Sequence, residues 1–224
     1  MFAASPITFI IIGITALISW QAFNNSTLFE KLLHYPYRVK HNKEYYRLLS
    51  HMLVHADFFH LFLNMFVLYS FGVVIEAAFT DPIFFKRFFP EVEPFFGLSG
   101  VFAFIVLYIG GGVFATLPSM RKHSDNFGYT SVGASGAVSS LLMAFMFMFP
   151  TMGISIMFIP MPAYVGIIVF FLAEFFMMRS GKTRIAHDAH MWGAVFGIIF
   201  IAVTRPIFIL KFIDSIGNEI SKLF

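Results

Sequence analysis

The sequence predicts an all-α, polytopic membrane protein built as a bundle of six transmembrane helices. Three observations support this fold class: 58% of the 224 residues are hydrophobic, only 12% are charged, and the mean hydropathy is +0.81. An ordinary soluble domain carries about 25% charged residues. A helix needs about 20 apolar residues to cross a bilayer, so six spans take up roughly half of this chain. The composition therefore predicts short loops and one compact helical domain.

The candidate spans are six apolar stretches of helical length. They cover residues 6–22, 48–76, 98–117, 131–149, 154–178 and 186–204. The first stretch has no Lys or Arg ahead of it and is longer than a signal-peptide core, so we expect it to be retained. Residues 1–204 are thus predicted to form the six-helix core, and residues 205–224 to form an amphipathic tail.

Three of the connections and spans carry additional signals. The connection over residues 24–47 is long and rich in aromatic and basic residues, which indicates a functional loop that lies partly in the membrane interface. The stretch 98–117 contains a run of three glycines suited to close helix contact. The stretch 131–149 is barely long enough to cross the hydrocarbon layer, so its start is expected to lie below the membrane surface.

Composition also excludes several classes of site and partner. The chain has no cysteine, so it has no disulfide, no thiolate metal site and no cysteine nucleophile. Its net charge of +3 comes from basic residues scattered through the loops, which argues against nucleic acid as a partner and fits contact with lipid headgroups. The sequence indicates no cofactor and no metal.

Ser135 and His190 are the candidate nucleophile and base. A serine hydroxyl is a poor nucleophile at neutral pH unless a neighbouring base, usually a neutral imidazole, takes its proton. Small residues near both positions, Gly136 on one span and Gly193 and Gly197 on the other, allow the two backbones to approach closely. Polar side chains are costly in lipid and are therefore usually functional.

His60 and Asn64 are the candidate donors to an oxyanion. They are four residues apart and so share one helical face, and the backbone N–H of Ser135 at a helix start is a third donor. Each donor of this kind typically contributes about 3 kcal/mol to catalysis. Gly133 and Gly136, on either side of Ser135, are expected to give a substrate access to the backbone.

These residues occur in an order that resembles the rhomboid family of intramembrane serine proteases. The aromatic-Arg pair Tyr46-Arg47 and the glutamate Glu76 at the end of the second span fit the same pattern, and the resemblance covers essentially the whole chain. The motifs are His51-(x3)-His55-(x4)-His60-(x3)-Asn64, then Gly133-Ala134-Ser135-Gly136, then Ala189-His190-(x2)-Gly193-(x3)-Gly197.

The resemblance implies a serine endopeptidase that cleaves transmembrane segments of other membrane proteins. It implies a Ser135–His190 dyad without an essential Asp, with His60 and Asn64 at the oxyanion. It further implies that the long loop after the first span lies half-submerged against the bundle and that the fifth span forms a lateral gate for substrates. We expect Gly133, Gly136, His55 and Gly193 to support the substrate or the structure around the site.

Several polar residues are expected to lie outside the catalytic chemistry. Ser139 stands where the family often has an aromatic residue that stacks on the base, which leaves the support of His190 open. Asp188 precedes His190 by two residues and so points to another side of the helix. Glu76 and Glu174 need partners in lipid, for which Arg47, Arg179 or backbone groups are candidates, and both are expected to be structural or interfacial.

Two functions from other classes compete with proteolysis. One is a membrane metal or haem protein, because His51-(x3)-His55 and His187-(x2)-His190 resemble short ligand pairs. The other is a protease-fold adaptor that binds transmembrane helices without cutting them, although such adaptors lose dyad residues and this chain has both. The oligomeric state and the substrate are not indicated by the sequence.

The membrane and the orientation are predicted from less direct signals. No organelle-targeting segment is recognised, so a prokaryotic plasma membrane is the expected location. The resemblance places both termini in the cytoplasm, whereas the positive-inside bias favours the opposite orientation. That bias rests on ten of the fifteen Lys and Arg residues, which lie after spans 1, 3 and 5: Lys31, Arg38, Lys40, Lys43, Arg47, Arg121, Lys122, Arg179, Lys182 and Arg184.

Overall fold

The computed structural model describes residues 5–94, 97–156, 159–180 and 185–222. Within these residues a sixth apolar helix, Ser135–Met148, is shorter than the five that are long and apolar enough to cross a bilayer. Those five are Pro6–Phe23, Phe58–Thr80, Ser99–His123, Ala163–Ser180 and His187–Thr204. The predicted all-α membrane fold is confirmed, with five helices of full length instead of six.

Thirteen α-helices and one strand pair make up the described structure. The helices are α1 (Pro6–Phe23), α2 (Ser26–Leu32), α3 (Pro36–His41), α4 (Arg47–Ser50), α5 (Phe58–Val67), α6 (Val73–Thr80), α7 (Pro82–Phe88), α8 (Gly97–Phe114), α9 (Leu117–His123), α10 (Ser135–Met148), α11 (Ala163–Ser180), α12 (His187–Thr204) and α13 (Ile207–Ser221). The strands are β1 (Gly153–Ile156) and β2 (Ile159–Pro162), which pair antiparallel. A π-helical segment, Leu68–Gly72, joins α5 to α6.

Parts of the sequence-based expectations fall on residues outside this description. They include the ends of the predicted core and tail, residues 1–4 and 223–224, and part of the connection before α12. Lys182 and Arg184, two of the cations counted for orientation, also lie outside the described residues.

The helix α10 lies at the centre of the bundle. All but two of its fourteen residues are buried, and the helices around it include α8 and α12. At 1.5 Å per residue it is about 21 Å long, shorter than a hydrocarbon layer of about 30 Å. Because the surrounding helices cover it, α10 does not need the length of a lipid-exposed span.

The first helix is attached to α6 by a buried carboxylate. Glu76 accepts hydrogen bonds from the backbone N–H groups of Ile7 at 2.8 Å and Thr8 at 2.7 Å, and from the Thr8 hydroxyl at 2.6 Å. These N–H groups belong to the first turn of α1, where no intrahelical acceptor exists. The negative carboxylate also lies at the positive end of the helix dipole. Two backbone N–H groups and the Thr8 hydroxyl are thus the partners of Glu76.

The long connection after α1 is folded against the bundle. It contains α2 and α3, and the buried Arg47 guanidinium joins the C-terminal end of α2 to α4 by donating to the carbonyl oxygens of Glu30 at 2.8 Å and Leu33 at 2.9 Å. Ser50 adds a bond to the Leu32 carbonyl at 2.7 Å. Lys40 and His41 pair with Asp125 across the loops, both at the surface.

Two predicted spans begin later than the sequence suggested. Residues 154–156 and 159–162, predicted as helix, lie in the paired strands β1 and β2, because Pro160 and Pro162 lack the N–H that a helix requires and disfavour helical backbone before them. Residues 157 and 158 of the same predicted span lie outside the described residues. The second span begins at Phe58, where the Asp57 side chain caps α5 by accepting from the His60 N–H at 2.7 Å. The polar residues ahead of Asp57 therefore lie in α4, a 3-10 turn and a loop.

We expect Glu76→Ala to destabilise the fold by about 1–3 kcal/mol, because the first turn of α1 loses a charged cap in a buried position. Glu76→Gln should lower the free energy of unfolding by a smaller amount, since one oxygen acceptor remains. Equilibrium unfolding in mixed detergent micelles measures both. The matched control is Glu93→Ala, which removes an exposed carboxylate paired with Lys86 and should change stability by less than about 0.5 kcal/mol. Equal losses for Glu76→Ala and Glu93→Ala would contradict the capping role.

Candidate active site

Ser135 is the first residue of α10 and is half-buried. The turn that leads into it depends on Gly133, whose φ of 110° lies in the region that L residues rarely adopt. A Cβ at Gly133 would also lie only 2.7 Å from the Cε1 atom of the His60 ring. Only glycine fits this position. Because glycine has no side chain, the His60 imidazole lies directly against the backbone that precedes Ser135.

The same turn is held by the backbone of His51 and the side chain of His55. The Gly133 N–H donates to the His51 carbonyl at 3.0 Å, and the Ala134 N–H donates to His55 Nε2 at 3.3 Å. Because Nε2 accepts, the proton of His55 is on Nδ1, which lies 3.0 Å from the Ser19 hydroxyl oxygen. His55 thus links α1 to the residue before Ser135.

The loop between α2 and α3 also reaches this turn through His34. The backbones of His34 and Ser131 exchange two hydrogen bonds, at 2.9 and 3.0 Å. His34 Nε2 lies 2.9 Å from the Ser119 hydroxyl, which itself donates to the Thr116 carbonyl. His34 Nε2 is therefore the donor, and Nδ1 is an acceptor that has no hydrogen-bond partner among the described residues.

A small cavity of about 20 Å³ separates His34 from Ser135, and Ser131 and Ala189 also line it. This volume has room for a single water molecule. Burial, followed by the proximity of His51 and Arg47, lowers the pKa of His34 to about 3. His34 is consequently neutral at physiological pH, and the cavity wall offers hydroxyl groups and an imidazole nitrogen without a positive charge.

The helix that carries His190 is in backbone contact with α10. A Cβ at Gly193 would lie 2.1 Å from the Gly136 carbonyl oxygen, and a Cβ at Gly197 would lie 2.2 Å from the Ser140 carbonyl oxygen. Ala189, next to His190, has its carbonyl oxygen beside Gly136. The structure thus brings the two predicted segments together, although no hydrogen bond joins the Ser135 hydroxyl to His190 within the described part of the chain.

The imidazole of His190 is bound by a carboxylate from α11. His190 Nδ1 lies 3.0 Å from Glu174 Oε1, and His187 Nδ1 lies 2.6 Å from Glu174 Oε2. The two histidines are three residues apart on α12 and face the same side. The Glu174 side chain is 11% exposed. Both of its oxygens are therefore occupied, and the arginines considered as its partners are not bonded to it.

Among the described residues, the side chains of Glu174, His187 and His190 also lie close enough together to hold a metal ion. One ligand atom from each of Glu174, His187 and His190 lies within 4.8 Å of the other two. A two-His, one-carboxylate set is a known ligand set for catalytic zinc. The other predicted ligand pair does not join it, because His51 Nδ1 contacts the Arg47 carbonyl and His55 bonds Ser19 and Ala134.

The predicted oxyanion donors lie on α5 near this turn. The ring of His60 packs on Gly133, as described above, and forms an edge contact with the ring of His55 at 5.0 Å between centroids. Asn64 is buried one turn further along α5 and donates one amide hydrogen to the His60 carbonyl at 2.9 Å. Among the described residues no acceptor binds its second amide hydrogen.

Neither Ser139 nor Asp188 binds the His190 imidazole among the described residues. Ser139 is buried on α10 one turn after Ser135, and no aromatic ring from this position stacks on His190. Asp188 Oδ1 accepts from the Ala189 N–H at 2.9 Å in the first turn of α12.

The residue that binds the His190 imidazole comes from α11, and the sequence analysis did not predict this contact. The available signal was a carboxylate inside an apolar span, a costly placement that requires a specific partner.

The family model of the rhomboid domain matches residues 42–207, which is more than half of this chain. The chain belongs to the rhomboid family. The matched region extends from the end of α3 to the start of α13, so it contains Ser135, His190, Glu174 and both candidate oxyanion donors.

Two curated relatives are similar over much of this rhomboid chain. RHOMBOID-like protein 12, mitochondrial, of Arabidopsis thaliana is 24% identical over 201 residues, which are 84% of this chain and 54% of that protein. Presenilin-associated rhomboid-like protein, mitochondrial, of Bos taurus is 28% identical over 152 residues, 66% of this chain and 35% of that protein. The chain thus spans about half or less of the length of these relatives.

We expect Gly193→Ala to destabilise this rhomboid by about 1–3 kcal/mol, because the added methyl group would overlap the Gly136 carbonyl and force α10 and α12 apart. Equilibrium unfolding in micelles measures the change. Gly217→Ala on α13 is the control, since a Cβ there meets nothing within 4 Å and alanine favours a helix by about 1 kcal/mol. A neutral Gly193→Ala would show that the backbone contact is not required.

Proposed function

We propose that this rhomboid is an intramembrane serine endopeptidase that cleaves transmembrane segments of other membrane proteins. One observation carries the proposal. The half-buried Ser135 hydroxyl has no hydrogen-bond partner among the described residues, and it lies at a glycine-flanked helix start against the helix that bears His190. A serine that served only packing would normally donate to a backbone carbonyl of its own helix.

In the proposed reaction, Ser135 Oγ attacks the carbonyl carbon of the scissile peptide bond while His190 Nε2 takes the hydroxyl proton. The C–N bond then breaks, and the imidazolium returns this proton to the leaving amine. Water next attacks the carbonyl carbon of the resulting ester and transfers a proton to Nε2. The bond from that carbon to Ser135 Oγ then breaks, and the imidazolium gives its proton to Oγ, which releases the carboxyl product and restores the Ser135 hydroxyl and the neutral His190. The small cavity between His34 and Ser135 has room for one water molecule beside Ser135.

The negative oxygen of each tetrahedral intermediate requires hydrogen-bond donors. We assign this role to the Ser135 backbone N–H, to the second amide hydrogen of Asn64 and to His60. The N–H of Ser135 is supported by its place in the first turn of α10, where no intrahelical acceptor exists. The contact between His60 and Gly133 keeps the imidazole beside the same turn.

The substrate is proposed to enter laterally beside α11. This helix supports such a path because few of its residues are buried: Ala163, Gly166 and Glu174. A transmembrane helix hides its carbonyl groups in its own hydrogen bonds, so the substrate must unwind before Ser135 can reach it. The partners are therefore single-pass or other membrane proteins with a segment that unwinds readily.

For the location we propose the plasma membrane of a prokaryote, as expected from the sequence. The names of the two relatives describe those proteins as mitochondrial, so a mitochondrial membrane is the competing location. Fractionation of source cells with antibodies to this chain distinguishes the two.

The activity test uses purified protein in liposomes with a panel of single-pass substrates and a serine-reactive fluorophosphonate probe. We expect cleavage and probe labelling by the native chain. Ser135→Ala should abolish both, and His190→Ala should lower cleavage by about 10³-fold or more, because the nucleophile loses its base. Ser139→Ala is the matched control, since it removes a buried hydroxyl one turn away on the same helix, and it should retain both activities.

Comparing membrane fragments from cells with the native chain and with Ser135→Ala identifies natural substrates. Full cleavage by Ser135→Ala would refute the assignment of the nucleophile. Capture of transmembrane proteins by both forms without cleavage by either would favour the adaptor function.

A metal-dependent function is the second candidate, favoured by the grouping of Glu174, His187 and His190. Chelation separates it from serine catalysis. We expect cleavage to survive dialysis against a strong chelator, because Ser135 and a neutral imidazole need no metal ion for acyl transfer. Elemental analysis of the same samples gives the metal content. Loss of cleavage on chelation, with recovery on addition of zinc, would favour the metal-dependent function.

A further inference from the structure

We propose that Glu174 is a positioning residue for the base: its carboxylate holds the proton of His190 on Nδ1 and so leaves Nε2 free to accept the proton of Ser135. This inference rests on the proposed function, and it adds a third member, supplied by α11, to the pair Ser135 and His190.

The geometry of the carboxylate carries the proposal. Glu174 Oε1 lies 3.0 Å from His190 Nδ1, within hydrogen-bonding range, and the Glu174 side chain is 11% exposed. A carboxylate only accepts hydrogen bonds, so the nitrogen facing it must carry the hydrogen. In neutral imidazole only one nitrogen is protonated, and the other nitrogen, Nε2, therefore has a lone pair.

His187 fixes the orientation of the carboxylate. Its Nδ1 lies 2.6 Å from Glu174 Oε2, so the two imidazoles bind opposite oxygens of one carboxylate. The plane of the carboxylate is thereby set by two bonds to α12, and Oε1 cannot rotate away from His190 without losing the bond to His187. The same two bonds fix the distance between α11 and α12 at this level of the bundle.

Other supports for the imidazole are weaker in this chain. Ser139 offers no ring for stacking, and Asp188 is engaged with the Ala189 N–H. The ring contact with His187, at 5.9 Å between centroids, is edge-on. The carboxylate is also placed to stabilise the imidazolium that forms when the base takes the serine proton, as the buried carboxylate does in soluble serine proteases.

The decisive variant is Glu174→Gln, which keeps the size of the side chain. Its amide group can donate to His190 Nδ1, which would favour the tautomer with the proton on Nε2, and that tautomer cannot accept a proton from Ser135. We expect kcat to fall by about 10- to 1000-fold with KM changed less than about threefold. Glu174→Asp keeps the charge and should retain more activity than Glu174→Gln or Glu174→Ala.

The control is Asp188→Asn, which removes the neighbouring carboxylate on α12 and should leave kcat near that of the native chain. The rate of fluorophosphonate labelling of Ser135 should follow kcat across the Glu174 series, because the probe reports the nucleophile without substrate unwinding. Unfolding measurements on each variant identify any that fail to fold, and only folded variants are compared.

A spectroscopic measurement tests the proposal independently of proteolysis. In protein labelled with 15N-histidine, with His190→Gln used to assign the signals, the native chain should show a protonated Nδ1 and an unprotonated Nε2 at His190. Glu174→Gln should shift this balance towards protonated Nε2. An unchanged tautomer in Glu174→Gln would overturn the positioning role.

The outcomes also separate this inference from the proposed function. Ser135-dependent cleavage that persists at the native rate in folded Glu174→Gln and Glu174→Ala would refute the role of Glu174 and leave the protease intact. Absence of Ser135-dependent cleavage in the native chain would refute the protease, while the tautomer measurement would still report whether Glu174 orients His190.

Discussion

The contact between the backbones of α10 and α12 is the constraint on which the candidate site depends. Gly193 and Gly197 lie against the carbonyl oxygens of Gly136 and Ser140 with no space for a side chain between them. Helices in lipid gain little from apolar burial, so van der Waals contact of this kind holds them together. Because Ser135 begins one helix and His190 lies one turn before Gly193 on the other, this contact also sets the distance between the candidate nucleophile and base.

The buried acidic residues of the bundle follow one physical rule. A carboxylate surrounded by apolar helices is stable only where its oxygens are hydrogen-bonded. Glu76 meets this need with backbone N–H groups at the start of α1, and Glu174 meets it with two imidazole N–H groups of α12. In both cases the carboxylate joins two helices, so that a polar group too costly to leave unpaired becomes a specific link between elements.

The sequence predicted the fold class and the approximate positions of the long apolar helices, because apolar composition and span length are properties of single segments. It was wrong where proline interrupts an apolar stretch, at Pro160 and Pro162, since hydropathy alone does not distinguish a pair of apolar strands from a helix. Gly133 was expected only to give a substrate access to the backbone near Ser135, because its close contact with the His60 ring depends on how α5 and α10 pack. The partners of Glu174 depend on how α11 is rotated relative to α12. The spacing of residues within one segment gives no information about that rotation.

Support for His190 from a carboxylate differs physically from support by a stacked aromatic ring. A stacked ring limits the tilt of the imidazole but does not distinguish its two nitrogens. A hydrogen bond to Nδ1 distinguishes them, because the acceptor selects the tautomer as well as the orientation. In a site built on serine and histidine alone, the tautomer is otherwise set by the energy of the free imidazole. In the proposed mechanism, with Ser139 in place of an aromatic residue, the hydrogen bond from His190 Nδ1 to Glu174 therefore supplies the orientation of the imidazole and also selects the nitrogen that acts as the base.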